Sequence, residues 1–228
     1  MKYTLANPTL DAQIAEIQRK LKLSMNGIVS GQMTQKGIIY KKNFGVSIPR
    51  IKEIASFYTP NHDLAQRLLN LQIRETLIMS TLLEPVETFT PQLAQCLVMS
   101  FNQIEMVEQA CMNLFCKLSW STSLCTEWIQ SDNEWIQITG YVLAARIVDK
   151  LTQTEINTII SEALKISDTT DFHLYKAVGL CLSRFCRKNK ETAITILNGI
   201  TTIAQTTSIG QQYIFNEVKQ EILFMDIL

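Results

Sequence analysis

Apolar residues return at three- and four-residue steps through most of this chain, and that period limits what it can become. It is clearest in Asp171–Lys190, DFHLYKAVGLCLSRFCRKNK, where Leu174, Ala177, Val178, Cys181, Leu182 and Phe185 fall on one face of a helix. Asp171 stands where an N-cap oxygen takes an early amide hydrogen. Roughly a dozen such stretches of about ten to twenty residues follow one another, joined by short turns. Only eight glycines and five prolines interrupt 228 residues, so long regular elements and an all-α chain are expected.

In chain order, Asn7-Pro8 is a cap and first helical position, and Leu10, Ile14, Ile17 and Leu21 make a stripe to about Leu23. Ser24–Gln35 is polar and contains glycine, which reads as a loop or a weak helix. Gly45 and Pro49 break regular structure, and Ser47 restarts a helix to about Tyr58. Further helices are expected over Asn61–Asn70, Ile73–Leu83, from Pro91, then Asn102–Leu118, Trp120–Gln130 and Asn133–Lys150. Thr152–Lys165, Glu191–Ile203 and Ile209–Leu228 complete the series. Pairs of helices recur at about forty residues without a strict consensus, the signature of HEAT/armadillo-like repeats. The expected fold is therefore an α-solenoid of stacked antiparallel helical repeats, curved with a concave groove, and residues 1–228 read as a single domain.

Composition excludes several classes of function. No apolar run reaches the roughly eighteen residues of a membrane span, and MKYTLANPTLDAQIAEIQRKLK lacks the apolar core of a secretory leader, so a cytoplasmic protein is expected. The six cysteines lie in apolar helical patterns without C-x-x-C, and His62 and His173 are the only histidines. Neither a metal nor any other cofactor is expected. There is no glycine-rich loop to cradle phosphate, and Ser183, Cys181 and Cys186 near His173 form no base–orienter arrangement.

Net charge is zero but uneven: residues 1–74 carry eleven Lys/Arg against four Asp/Glu, a surplus of +7 that the remainder balances with −7. Lys176, Arg184, Arg187, Lys188 and Lys190 form a second basic run with no acid between them. These cations either complement a helix C-terminus or face an anion, and neutralising phosphates would release counterions and drive binding.

Several segments resemble one family. Lys176-Ala177-Val178-Gly179-Leu180-Cys181-Leu182-Ser183-Arg184 resembles the K-A-I-G-W-x-L-R-E segment of the AlkD-like DNA alkylation-repair family. Tyr40-Lys41-Lys42-Asn43-Phe44-Gly45-Val46-Ser47-Ile48-Pro49-Arg50 resembles its Y-x-K-x-x-F-x-G-V-x-x-P-x-x-R entry. LAQRLLNLQIRETLIMSTLL resembles a third segment and keeps Arg74-Glu75, whose expected role is an ion pair or cap between repeats. The resemblance runs collinearly over about residues 36–205. It implies a stack of HEAT-like repeats, and the characterised members are alkylpurine DNA glycosylases.

It also assigns roles to individual positions. NQIEMVEQACMNLFCKL, at 102–118, occupies the place of the W-D-L-V-D helix, so that Ile104 stands for the tryptophan, Glu105 for the first aspartate and Glu108 for the functional one. In the family that carboxylate stabilises the oxocarbenium-like sugar as a charged alkylpurine leaves. Glu108 is thus the candidate catalytic residue, although one extra methylene displaces its oxygens by more than about 1 Å, enough to cost roughly a hundredfold in rate. Where the family has W-x-R-R, Trp135 is present but Gln137 and Ile138 replace the arginines. Leu180 and Ser183 replace a further tryptophan and arginine. The candidate DNA contacts are Lys41, Lys42, Arg50, Trp135, Lys176, Arg184, Arg187 and Lys188.

Three functions follow from these features. The first is a monomeric DNA-binding relative of the glycosylases, taking duplex or branched DNA in the groove, with weak or absent base excision. The second is an active glycosylase that uses Glu108, with Trp135 and Tyr141 as substitute aromatics and Arg184 on the backbone. The third is a protein–protein scaffold, which the neutral charge and the acid-rich middle (Glu84, Glu87, Glu105, Glu108, Glu127, Asp132, Glu134) favour.

Overall fold

The caps legible in the sequence set where the helices begin. In the computed structural model, which describes residues 6–204 and 207–225, Asn7 Oδ1 accepts from Leu10 N at 3.2 Å and Pro8 opens α1 (Pro8–Leu23). Asn26 caps α2 (Gly27–Gln35), and α3 (Ile48–Ala55), α4 (His62–Asn70) and α5 (Arg74–Leu83) follow. Next come α6 (Pro91–Val98), α7 (Ile104–Asn113), α8 (Ser121–Ile129) and α9 (Glu134–Arg146). The chain continues with α10 (Gln153–Lys165), α11 (Phe172–Cys186), α12 (Lys190–Thr201) and α13 (Ile209–Phe224). Among the described residues the only strand-like pairing is an isolated bridge between Lys42 and Ile73. No helix among them is long and apolar enough to cross a membrane. The charge of Lys2 and the last three positions of the helix expected to reach Leu228 lie outside the described residues.

Two compact units divide the chain, Met1–Thr90 and Pro91–Leu228. In the first, α1 packs on α3 and α4, and both α3 and α4 pack on α5, with Leu10, Ile17 and Leu21 of α1 facing inward. The loop before α3 is tied down twice. Asn26 N donates to Phe44 O at 2.8 Å, and Gly45 holds φ +70° against the Asn26 carbonyl, a place where a side chain has neither room nor easy backbone. Its other anchor is Glu75, completely buried, whose two carboxylate oxygens accept from Phe44 N at 3.1 Å and Val46 N at 3.2 Å. Arg74 lies 3.1 Å from the same carboxylate and donates to Val46 O at 2.9 Å, so the pair is both an ion pair and a loop clamp.

The second unit stacks its helices in two layers. One holds α7, α9, α11 and α13, each packed on the next, and the other holds α8, α10 and α12 in the same order. Between the layers α8 packs on α9, α10 and α12 on α11, and α12 on α13, most closely α8 on α9. Side-chain caps start five of these helices: Asn133, Thr152 (a full capping box with Glu155), Asp171, Asn189 and Ser208 each accept an amide of the following helix.

Two helices stop at least four residues earlier than their apolar pattern predicts. α7 ends at Asn113 rather than Leu118 because Leu114 leaves helical backbone (φ −127°, ψ −65°). Phe115, in the 3-10 turn that follows, then buries completely against Trp128, ring centroids 5.1 Å apart. α9 likewise ends at Arg146, and residues 148–150 form a 3-10 turn. Lysines finish both turns: Lys150 Nζ donates to Cys116 O at 2.7 Å, and Lys188 Nζ to Val148 O at 2.9 Å and Leu151 O. A third difference is α2, a full helix where Ser24–Gln35 suggested a loop or a weak one. It buries no side chain and is held by its cap and by Ser30 Oγ donating to Asn43 O.

Candidate nucleic-acid interface

The layer α7–α9–α11 presents a cleft of about 470 Å³ lined by Glu108, Gln109, Met112, Val142, Ala145, Arg146, Leu180 and Arg184. Helical spacing explains the set. Glu108, Gln109 and Met112 lie one turn apart on α7, Val142 and Arg146 one turn apart on α9, and Leu180 and Arg184 one turn apart on α11. Of the charged groups in the wall, Glu108, Arg146 and Arg184 are exposed. Among the described residues no aromatic ring lines the cleft.

Glu108 reaches solvent but sits in a concavity, and its carboxyl is shifted upward. Lost hydration is the main cause, the Glu105 carboxylate adds to it, and Arg146 from α9 opposes it. The folded chain therefore holds this proton more tightly than the unfolded one, and ionisation at this site costs stability. That cost is fully present above the raised value and disappears as pH falls below the ordinary 4.5. Glu108→Gln is expected to be more stable than the parent at neutral pH, with the difference closing on acidification. Thermal melts across that range test this, and an advantage that stays constant with pH would contradict it.

The other candidate residues are distributed unevenly. Lys41 and Lys42 are exposed in the loop before α3, Lys42 Nζ lying 5.2 Å from the centre of the Phe44 ring. Arg50 is engaged, with Nε on Ser24 Oγ at 3.1 Å and Nη1 on Glu53 at 2.8 Å. Arg187 forms a two-pronged pair with Glu221 of α13, one arm at 3.0 Å, and Lys188 holds the two carbonyls described above. Of the basic run in α11, Arg184 is the member that faces the cleft, and Lys176 lies over rings farther toward the helix start.

Trp135 is half-buried and stacks on His173, centroids 5.6 Å apart. Tyr141, weighed above as a substitute aromatic, is completely enclosed, and burial pushes its phenol well above its ordinary value. Where the resemblance places arginines, Gln137 Nε2 donates to Ile129 O at 2.9 Å, Ile138 is buried, and Ser183 Oγ donates to Leu180 O. Cys125, Cys181 and Cys186 are buried, which disfavours their thiolates: burial pushes Cys125 and Cys186 up to about 12 and Cys181 well above its ordinary value.

Arg146 is the residue that sequence reasoning missed. It is the one charge in the run Ile136–Ile147, and a lone arginine at the end of so apolar a helix is the signal that was available.

Helices stacked in two layers, with no sheet among the described residues, define a HEAT-like repeat protein. The chain belongs to the DNA alkylation repair enzyme family, whose model matches residues 17–207. Among solved structures it is similar to one described as "a new family of proteins related to the HEAT-like repeat DNA glycosylases with affinity for branched DNA structures". The TM-score is 0.77 over 90% of this chain and 94% of that one, at 10% identity, so the likeness is one of fold. No curated protein matches the sequence.

Proposed function

We propose that this protein binds DNA, with a preference for branched or otherwise structured forms, and has weak or absent alkylpurine excision. The observation that carries the reading is the composition of the α7–α9–α11 cleft: two exposed guanidinium groups, one carboxylate and no aromatic side chain. Guanidinium groups bind phosphate through paired donors, and the two here rise from neighbouring helices, as suits consecutive phosphates of one strand. Excision would need a carboxylate held against the sugar and rings to enclose it. Glu108 supplies the charge, but nothing in the wall supplies the rings. The affinity of the structural relative for branched DNA supports the same choice of partner.

Binding to blunt duplex, flapped and four-way DNA, titrated over salt by fluorescence anisotropy, is the test. Affinity should fall steeply with salt. Arg146→Ala and Arg184→Ala should each weaken binding and each reduce the slope of log K against log salt by about 1. Unchanged slopes in both variants would remove the cleft from the interface. Binding to no DNA at low salt would move the protein to the scaffold reading. Release of methylated base from duplex DNA, abolished by Glu108→Gln, would restore the active glycosylase.

A further inference from the structure

Five rings, in tilted and T-shaped contacts, run across the start of α9, the start of α11 and the adjoining face of α13. Trp135 and His173 are 5.6 Å apart between centroids, His173 and Phe172 5.3 Å, Phe172 and Tyr175 5.7 Å, and Tyr175 and Tyr213 5.2 Å. Lys176 lies over this array, its Nζ 4.4 Å from the Phe172 centroid and 5.7 Å from that of Tyr213. The array is graded in burial. Tyr175 is 8% exposed and anchors it, while Phe172 remains 51% exposed at the first position of α11. An apolar ring held half in water, with neighbours that fix its orientation, is a preordered surface for another flat group.

The position of the array relates it to the cleft. Lys176, Leu180 and Arg184 follow one another at four-residue steps on α11, and the last two line the cleft. At about 1.5 Å per residue, Lys176 and Arg184 are separated by roughly 12 Å along the helix. That is the length of three to four nucleotides at about 3.4 Å each. On α9, Trp135 and Arg146 mark the same two ends.

We propose that this array is a stacking platform for an unpaired nucleobase, with Lys176 and the arginine cleft holding the phosphates of the strand that leads to it. The proposal rests on the DNA-binding reading and narrows it. Inside a paired duplex both faces of each base are covered by its neighbours. The platform is therefore served by a base exposed at a branch point or in a single-stranded flap, which gives a physical source for a preference for branched DNA. Stacking of a base on an aromatic side chain is sequence-tolerant, because every base has a π-face.

The experiment compares a blunt duplex with the same duplex carrying a short flap whose first unpaired base is aminopurine, a fluorescent adenine analogue. The parent protein should bind the flap more tightly and quench the analogue. Phe172→Ala should weaken flap binding at least about fivefold, leave duplex binding unchanged and abolish the quenching, whereas Phe172→Trp should preserve all three. The effect should persist as salt is raised, in contrast to that of Arg184→Ala, because stacking releases no counterions. If flap and duplex binding survive Phe172→Ala alike while Arg184→Ala weakens both, the platform is refuted and the cleft stands. If no DNA binds at any salt, both readings fall. Loss of a co-purifying protein from Phe172→Ala, with flap binding intact, would reassign the rings to a protein partner and overturn the proposal.

Discussion

Glu75→Gln is expected to destabilise the unit Met1–Thr90 by about 3–5 kcal/mol, the cost of removing one member of a buried ion pair. The carboxylate is completely buried and accepts from two backbone amides, those of Phe44 and Val46, besides lying 3.1 Å from Arg74. Glutamine is nearly the same shape, so no cavity forms. Its amide nitrogen must nonetheless replace one acceptor oxygen, placing a donor against the N–H of Phe44 or Val46. Arg74, itself 4% exposed, also loses this counter-charge. Each consequence alone would cost about 1–3 kcal/mol, and here they share one side chain. Both amides flank Gly45, whose left-handed backbone positions the loop on Asn26, so the loop bearing Lys41 and Lys42 should loosen with the clamp. Denaturant melts followed by circular dichroism, with hydrogen exchange at Phe44 and Val46, give the readout. A loss below about 1 kcal/mol would show that the clamp is not what holds the loop.

The fold was readable in the sequence to the extent that its signals are local. Asn7-Pro8, Asn61, Asn133, Thr152, Asp171 and Asn189 each begin a helix by capping an amide three residues ahead, and such signals survive without tertiary context. α2 was hard to read because it buries no side chain and so has no apolar stripe, the primary cue. The ends of α7 and α9 were overestimated because the apolar period continues through Leu114 and Ile147, where the chain turns to bury Phe115 and to receive Lys188.

The candidate site was legible in part. Glu108 and Arg184 came from separate motifs and line one cleft, whereas Arg146 belongs to no motif and gains meaning only when α9 lies between α7 and α11. Arg187 and Lys188 were indistinguishable from Arg184 in the basic run. Their partners, Glu221 and the carbonyls of Val148 and Leu151, stand more than thirty residues away, beyond the reach of any local pattern.

The second large effect is expected at Gly140, where α9 crosses α8. A Cβ added there would lie 2.7 Å from the backbone nitrogen of Ile129, 2.9 Å from its Cγ1 and 3.0 Å from the carbonyl carbon of Trp128. Two of these three atoms are backbone and cannot rotate aside, so the helices must separate. Separation loosens Trp128, 2% exposed and packed edge-on against Phe115. Replacing a helical glycine recovers up to about 1 kcal/mol of propensity, less for valine than for alanine. Overpacking of a dense core costs about 1–3 kcal/mol and sometimes more, and the two methyls of valine aggravate the first contact. A net loss near 3 kcal/mol is expected for Gly140→Val. Gly179 on α11 provides the contrast, since its added Cβ would meet Tyr213 Cε1 at 3.0 Å, a ring edge that can tilt. Gly179→Ala should therefore stay within about 1 kcal/mol of the parent, propensity offsetting the contact. Because α9 carries Arg146 into the cleft and Trp135 to the ring array, Gly140→Val should also weaken blunt and flapped DNA together, unlike Phe172→Ala, whose loss is confined to the flap. Urea midpoints at constant m-value decide the stability claim, and a Gly140→Val midpoint equal to that of Gly179→Ala would show that α8 and α9 yield more easily than a backbone contact allows.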